Sequence, residues 1–249
     1  KTVDLSEECK KLKGTKPLFK YFLDGSRRTY KVDDIIYDKK VFPIIAGQIG
    51  VGCCYRENRQ LKPDILEMHN IIVLPESADK DGNFRENFFE NLKNKVCEID
   101  VLKKRNISFS KILIYSEQKL QPGQRYENFG IAKIQDEMIE KEKQVVVSLA
   151  KHDKLDQNSY LLKDGSLEYQ KMKTGDYKDL SIFKSNYQCV IGASKSFNPE
   201  KCIDELGRSN ASIIAKLPLY HRTPAYLYES EKLGEVKFAI WYVRIRDSK

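Results

Sequence analysis

The tripeptide Asp-Gly-Ser occurs twice in this chain, as Asp24-Gly25-Ser26 and Asp164-Gly165-Ser166, and each copy follows an apolar run. The runs are Leu18-Phe19-Lys20-Tyr21-Phe22-Leu23 and Tyr160-Leu161-Leu162-Lys163. Asp-Gly directly after a β-rich run predicts a strand end, because Gly accepts positive φ and Asp bonds its own downstream backbone. Neighbouring strands that end this way bring two carboxylates to one sheet edge, where they repel unless a cation lies between them. The pattern specifies a sheet with an acidic edge and points to a divalent-metal site. A plain hairpin turn is the alternative, although neither copy sits between two alternating runs at two-residue spacing.

The 249 residues, 41% of them apolar, suffice for one large domain or two small ones. No linker rich in Pro, Gly or Ser divides them, so the expectation is one mixed α/β domain over residues 1–249, with residues 57–110 as an elaboration. Lys and Arg number 44 against 36 Asp and Glu, a balance of +8 that favours a polyanion as partner. The longest apolar stretch, Val41 to Cys54, contains Pro43, Gln48 and three glycines and falls short of the ~20 residues of a membrane span. Six scattered cysteines and three distant histidines lack zinc-site spacing. They predict reduced thiols and a cytoplasmic location. The chain begins at Lys1, so a targeting segment ahead of it is not excluded.

Leu18–Leu23, Arg28–Val32 and Val41–Tyr55 read as strands of an antiparallel meander, with turns at Asp33-Asp34 and Asp38-Lys39-Lys40. Gly47, Gly50 and Gly52 lack the order of a phosphate loop and indicate bulges or close packing instead. Ile71–Leu74 and Lys111–Tyr115 predict short strands, and Phe88, Leu92, Val96 and Ile99 predict a helix over 84–104. A charged helix runs from Ile131 to His152, with Ile134, Met138, Val145 and Leu149 as its apolar stripe. Tyr187–Ala193 and Val236–Ile245 read as strands, and Pro199–Leu206 as a short helix. A divalent site needs a third acid, and Glu137 and Glu140, at i and i+3 on the charged helix, are the candidates.

Several further pieces fall in order along the chain: Phe22 to Arg27, Met138-Ile139-Glu140, Leu161 to Leu167, Val190 to Lys195, and Tyr242-Val243-Arg244. Together they resemble the NurA nucleases of the DNA end-resection machinery, a branch of the RNase H-like fold. The resemblance implies a mixed sheet flanked by helices and a two-metal-ion deoxyribonuclease acting on DNA ends and single strands. It implies Asp24, Glu140 and Asp164 as catalytic metal ligands, Mn2+ or Mg2+ as cofactor, and Glu137 as the reserve for the helix position. Lys195 resembles the family's strand-end lysine, and it and Arg27, which follows the first aspartate, are expected to contact DNA phosphates. It further implies a homodimer beside a HerA-type hexameric ring ATPase, in repair or in defence against foreign DNA. The family's C-terminal Tyr and His helix has no counterpart before Lys249, and Tyr220 and His221 precede the last strand.

The acids suit this chemistry on their own terms, since two divalent ions about 4 Å apart activate a water and stabilise the leaving oxygen of a phosphodiester. Asp24 would bridge both ions, with Asp164 and Glu140 each favouring one. Lys171, Lys173, Lys178 and Lys184, interleaved with Tyr169, Tyr177 and Phe183, suggest a track for single-stranded DNA. Cys53-Cys54 reads as packing rather than a redox pair. Two alternatives stand beside the nuclease: a non-catalytic nucleic-acid-binding or assembly subunit, and an RNase H- or Argonaute-like ribonuclease.

Overall fold

Between residues 17 and 75 the chain is rich in β-branched and aromatic residues, and it forms three long antiparallel strands joined by two tight turns. The computed structural model describes residues 2–79, 85–167, 177–195, 203, 206–229 and 236–246. In chain order the elements are β1 (Val3–Asp4), α1 (Ser6–Lys11), β2 (Phe19–Tyr37), β3 (Lys40–Glu57), β4 (Gln60–Pro75), α2 (Arg85–Cys97), α3 (Asp100–Lys104) and β5 (Lys111–Tyr115). Then follow α4 (Tyr126–Lys151), β6 (Tyr160–Asp164), α5 (Tyr177–Asn186), β7 (Val190–Ala193), α6 (Ala211–Ala215), β8 (His221–Arg222), β9 (Tyr226–Glu229) and β10 (Lys237–Ile240). The architecture is mixed α/β. Two compact units divide it, one of residues Tyr21–Leu155 and the other of Lys1–Lys20 with Asp156–Lys249.

In the first unit the strands lie in the order β5-β4-β3-β2, with β5 parallel to β4 and the other pairs antiparallel. Both hairpins close with two residues in the left-handed region, Asp38-Lys39 (φ 45° and 58°) and Asn58-Arg59 (φ 51° and 64°). That is the type I′ geometry whose twist matches the strands it joins. The sequence reading needs two corrections here. β2 does not stop at Asp24 but runs through it, with Asp24 opposite Gly52 and Gly25 opposite Val51. Nor do Asp33-Asp34 turn the chain, since they continue β2 past a bulge at Val32. The long apolar stretch of β3 provides a full ladder, and its bonds outweigh the local turn preference of Asp-Gly.

β4 also exceeds the predicted Ile71–Leu74. Its first half contains Pro63, which cannot donate to a ladder and is tolerated in strands chiefly at edges and bulges. A bulge is what the register shows: Cys53 faces Ile65, Cys54 faces Pro63, and Asp64 is the extra residue. Asp64 then receives Lys154 Nζ at 2.9 Å. The predicted helix over 84–104 is interrupted at Ile99, whose extended ψ of 123° separates α2 from α3.

The core of this unit lies under α4. Leu23, Ile45, Ile49, Val51 and Cys53, at odd positions of β2 and β3, are buried against Ile134, Met138, Val145, Val146 and Leu149. Each such large side chain contributes about 1.5–3 kcal/mol by leaving water. The helix starts at Tyr126, five residues before the expected Ile131, because the Tyr126 ring packs on Phe42 at 4.8 Å. Close packing also explains the glycines. A Cβ at Gly47 would come 2.5 Å from Ile134 Cδ1, and one at Gly130 of α4 would come 2.8 Å from Ile45 Cγ1.

In the second unit β6 and β7 run parallel, from Leu161 opposite Val190 to Asp164 opposite Ala193. Here the prediction of a strand ending in an acid holds, with Gly165 turning at φ +88°. β1 pairs with β8 and β9 with β10. The expected strand Val236–Ile245 is split: after β10, residues 242–244 bond instead to 220–223. The expected helix Pro199–Leu206 lies largely outside the described residues. No described helix is long and apolar enough to cross a membrane.

Replacing Gly47 by Ala should destabilise the protein by about 1–3 kcal/mol, the usual cost of overpacking. A urea midpoint lowered by Gly47→Ala and partly restored by adding Ile134→Val checks it. An unchanged midpoint would mean that α4 does not rest on this glycine.

Candidate active site

Asp24 sits in the middle of β2, between Leu23, which is buried, and Gly25. Successive side chains leave a strand on opposite sides. Leu23 and Gly25 face α4, so the Asp24 Cβ leaves the other pleat, and the residue is exposed. Its carboxylate makes no hydrogen bond or ion pair among the described residues.

The α4 acids divide by helix face. Glu140 points outward with half its side chain exposed and pairs with Lys143 at 2.8 Å. Glu137 pairs with Lys111 Nζ at 2.9 Å. Neither reaches Gly25. The acid that does is Glu142, a residue 3% exposed, whose carboxylate lies where a Gly25 side chain would be; a Cβ there would overlap Oε1. The sequence holds a signal for it. Ile134, Met138, Val145 and Leu149 form a stripe with one place missing, and position 142 fills it.

Asp164 closes β6 between two ammonium groups. Lys195 Nζ lies 2.8 Å from its Oδ2, and the buried Lys163 donates from Nζ to its main-chain oxygen at 2.9 Å. The hydrogen bond from Lys195 holds the Asp164 carboxyl below the usual carboxylate range, against a smaller opposing effect of desolvation. Lys195, expected from the sequence to contact DNA phosphates, is here the ion-pair partner of Asp164. Arg27 is exposed, and its Nε donates to Gln135 Oε1 on α4, tying the strand to the helix beside the site.

The structure thus brings Lys195 to Asp164 and Glu142 to the backbone next to Asp24, and leaves Glu140 in solvent. Among the described residues no three His, Cys, Asp or Glu side chains are grouped so as to hold a metal ion. Asp164 already has an ammonium, that of Lys195, on its carboxylate.

The proposed stacking track fares differently. Tyr169, Lys171 and Lys173 lie outside the described residues, and Phe183 is buried and stacked on Tyr187 at 4.2 Å, so it is core rather than a platform for bases. Cys53 is fully buried and its thiol is pushed up to about 12, chiefly by desolvation, which suits packing and not redox chemistry.

Fold and side chains together define a mixed α/β protein with carboxylates on β2, α4 and β6. No protein-family model matches the sequence, and no curated protein matches it. Among solved structures it is similar to the NurA nuclease from Sulfolobus solfataricus, with a TM-score of 0.38 and 10% identity over 90% of this chain. The chain spans 64% of the length of that protein. So distant a likeness says nothing about catalysis.

Removing the ammonium should move the Asp164 titration. Its depressed folded-state pKa means that the pair stabilises the fold fully above the unfolded carboxyl pKa and ceases to as pH falls through the lower folded value. Carboxyl NMR should place the wild-type midpoint below 3.8, and Lys195→Met should raise it. A midpoint indifferent to the substitution would contradict the pair.

Proposed function

We propose that the protein is a metal-dependent deoxyribonuclease built on an RNase H-like version of the α/β fold. The observation that carries this reading is the exposed Asp24 carboxylate on β2, which meets no donor or cation among the described residues. Asp24 and Asp164 are each proposed as a metal ligand. Glu142 lies on the opposite pleat of β2 from Asp24 and Glu140 points to solvent, so no helix ligand is proposed.

A divalent cation, Mn2+ or Mg2+, supplies water activation and charge stabilisation at the leaving oxygen when bound. The chain's own groups do the rest. Each aspartate would offer its oxygens from a strand rather than from a loop. Arg27, and Lys195 once off Asp164, contact backbone phosphates and position the DNA without reading its bases. The +8 balance favours DNA at long range. Single strands and ends as substrate, a homodimeric state and a HerA-type ring ATPase as partner complete the proposal.

A non-catalytic nucleic-acid-binding subunit is the second reading, and the Lys195–Asp164 pair favours it because the lysine already neutralises one of the acids. Incubating labelled DNA and RNA, single- and double-stranded, with Mn2+ or with chelator separates the two. Mn2+-dependent DNA loss is expected, reduced by orders of magnitude in Asp24→Asn and Asp164→Asn and little changed in Glu140→Gln. Cleavage that persists in Asp24→Asn would refute the assignment, binding without cleavage would establish the second reading, and loss of RNA alone would make it a ribonuclease.

A further inference from the structure

The pleat of β2 that carries Asp24 is the one α4 leaves uncovered. Residues directly opposite in neighbouring strands share a face, so Phe22, Asp24, Ser26, Arg28 and Tyr30 of β2 stand beside Cys54, Gly52, Gly50, Gln48 and Ala46 of β3. Beyond them on β4 come Leu66, opposite Gly52, and Met68, opposite Gly50. A sheet face open to water is ordinarily polar, yet here Leu66 is 75% exposed, Met68 64% and Tyr30 58%. Between the rows lies bare backbone. Gly50 and Gly52 keep φ outside the left-handed region, and both ladders run past them without a bulge. Packing does not require them either. A Cβ at Gly52 would meet only Leu66 Cδ1, at an ordinary 3.9 Å, and one at Gly50 the exposed Ser26 hydroxyl at 3.3 Å and the Glu67 main-chain oxygen at 3.9 Å. At Gly25, Gly47 and Gly130, by contrast, a Cβ would collide with a side chain of the opposing element.

Glycine weakens a strand interior, and where no bulge, turn or packing asks for it, close approach of a ligand to the backbone is the remaining reason. We propose that the strip over Gly50 and Gly52 is the bed of a single nucleic-acid strand, with Leu66 and Met68 along one side and Asp24 and Ser26 along the other. The inference takes the class of its occupant from the nucleic-acid reading above and needs no bound metal. Charge favours this occupant. Arg28, about 13 Å along β2 from Asp24, is exposed and makes no hydrogen bond or ion pair among the described residues. Arg56 lies over the Phe22 ring at 4.9 Å on the same pleat. The two guanidiniums outnumber the Asp24 carboxylate on this stretch and suit backbone phosphates, as does the +8 balance of the chain. The apolar side chains decide between one strand and two. Leu66, Met68 and Tyr30 match the faces of unstacked bases, which a duplex keeps inside its stack. A strand in this bed passes directly over Asp24.

Fluorescence anisotropy of a labelled oligothymidylate with the full chain, in chelator, tests this without metal and without cleavage. Gly52→Val should bind about tenfold more weakly, the worth of roughly one stacked base. Its urea midpoint should not fall, because β-branched residues favour strands and the new Cβ meets nothing nearer than 3.9 Å. Leu66→Ala should weaken binding in the same direction, and Arg28→Gln should flatten the log–log salt dependence by about 0.7, the contribution of one phosphate contact. Both of these side chains are exposed, so the two variants carry the test even if Gly52→Val fails to fold. If wild type binds the strand and all three variants bind as it does, the bed is wrong while the nucleic-acid reading stands. If wild type binds neither DNA nor RNA, single- or double-stranded, that reading falls and the bed with it. A Gly52→Val chain that keeps its DNA affinity but changes its sedimentation would make this face a contact between two copies and overturn the proposal.

Discussion

Helix α4 lies on β2 and β3 because glycines at the points of closest approach leave it room. Gly47 admits Ile134, Gly25 admits Met138 and Glu142, and Gly130 on the helix admits Ile45. A glycine inside a helix costs about 1 kcal/mol relative to alanine, and one inside a strand is also unfavourable. Those costs are offset by the large side chains that the close approach buries. The same approach positions Glu142, for the depth at which α4 settles decides how far its carboxylate extends over β2.

Much of this was legible in the sequence. β5 and β6 fall where predicted to within a residue, and α4 keeps its predicted stripe, because alternation and the 3.6-residue period are properties of a segment by itself. What escaped depends on a partner. Asp24-Gly25 has the local chemistry of a turn, and only the ladder to β3 holds it straight. Pro63 argues against a strand until the bulge at Asp64 is seen. Glu140 and Glu142 look alike as letters, but two residues turn a helix by about 200°. The solvated one pairs with Lys143 and the buried one meets Gly25.

The two Asp-Gly-Ser copies therefore use their glycine for different physical reasons. Gly165 is needed for its positive φ, which lets the chain leave β6. Gly25 keeps extended backbone and is needed for its missing Cβ. The identical tripeptides record no repeat of structure, and an alanine would strain the backbone at one and force apart two elements at the other.

The charges around them differ as well. At Gly25 the Glu142 carboxylate occupies the place of the missing Cβ on the α4 side of β2, while the Asp24 side chain leaves by the opposite pleat. At Gly165 the Lys163 ammonium would lie at an ordinary contact distance, 3.8 Å, from a Cβ, so the charge there does not depend on the missing side chain. Asp24 is exposed with no cation on it among the described residues, whereas Asp164 has the Lys195 ammonium on its carboxylate and the Lys163 ammonium on its main-chain oxygen. The two aspartates therefore stand in different electrostatic surroundings although their local sequences are the same, and the difference originates in tertiary neighbours that the tripeptide does not specify.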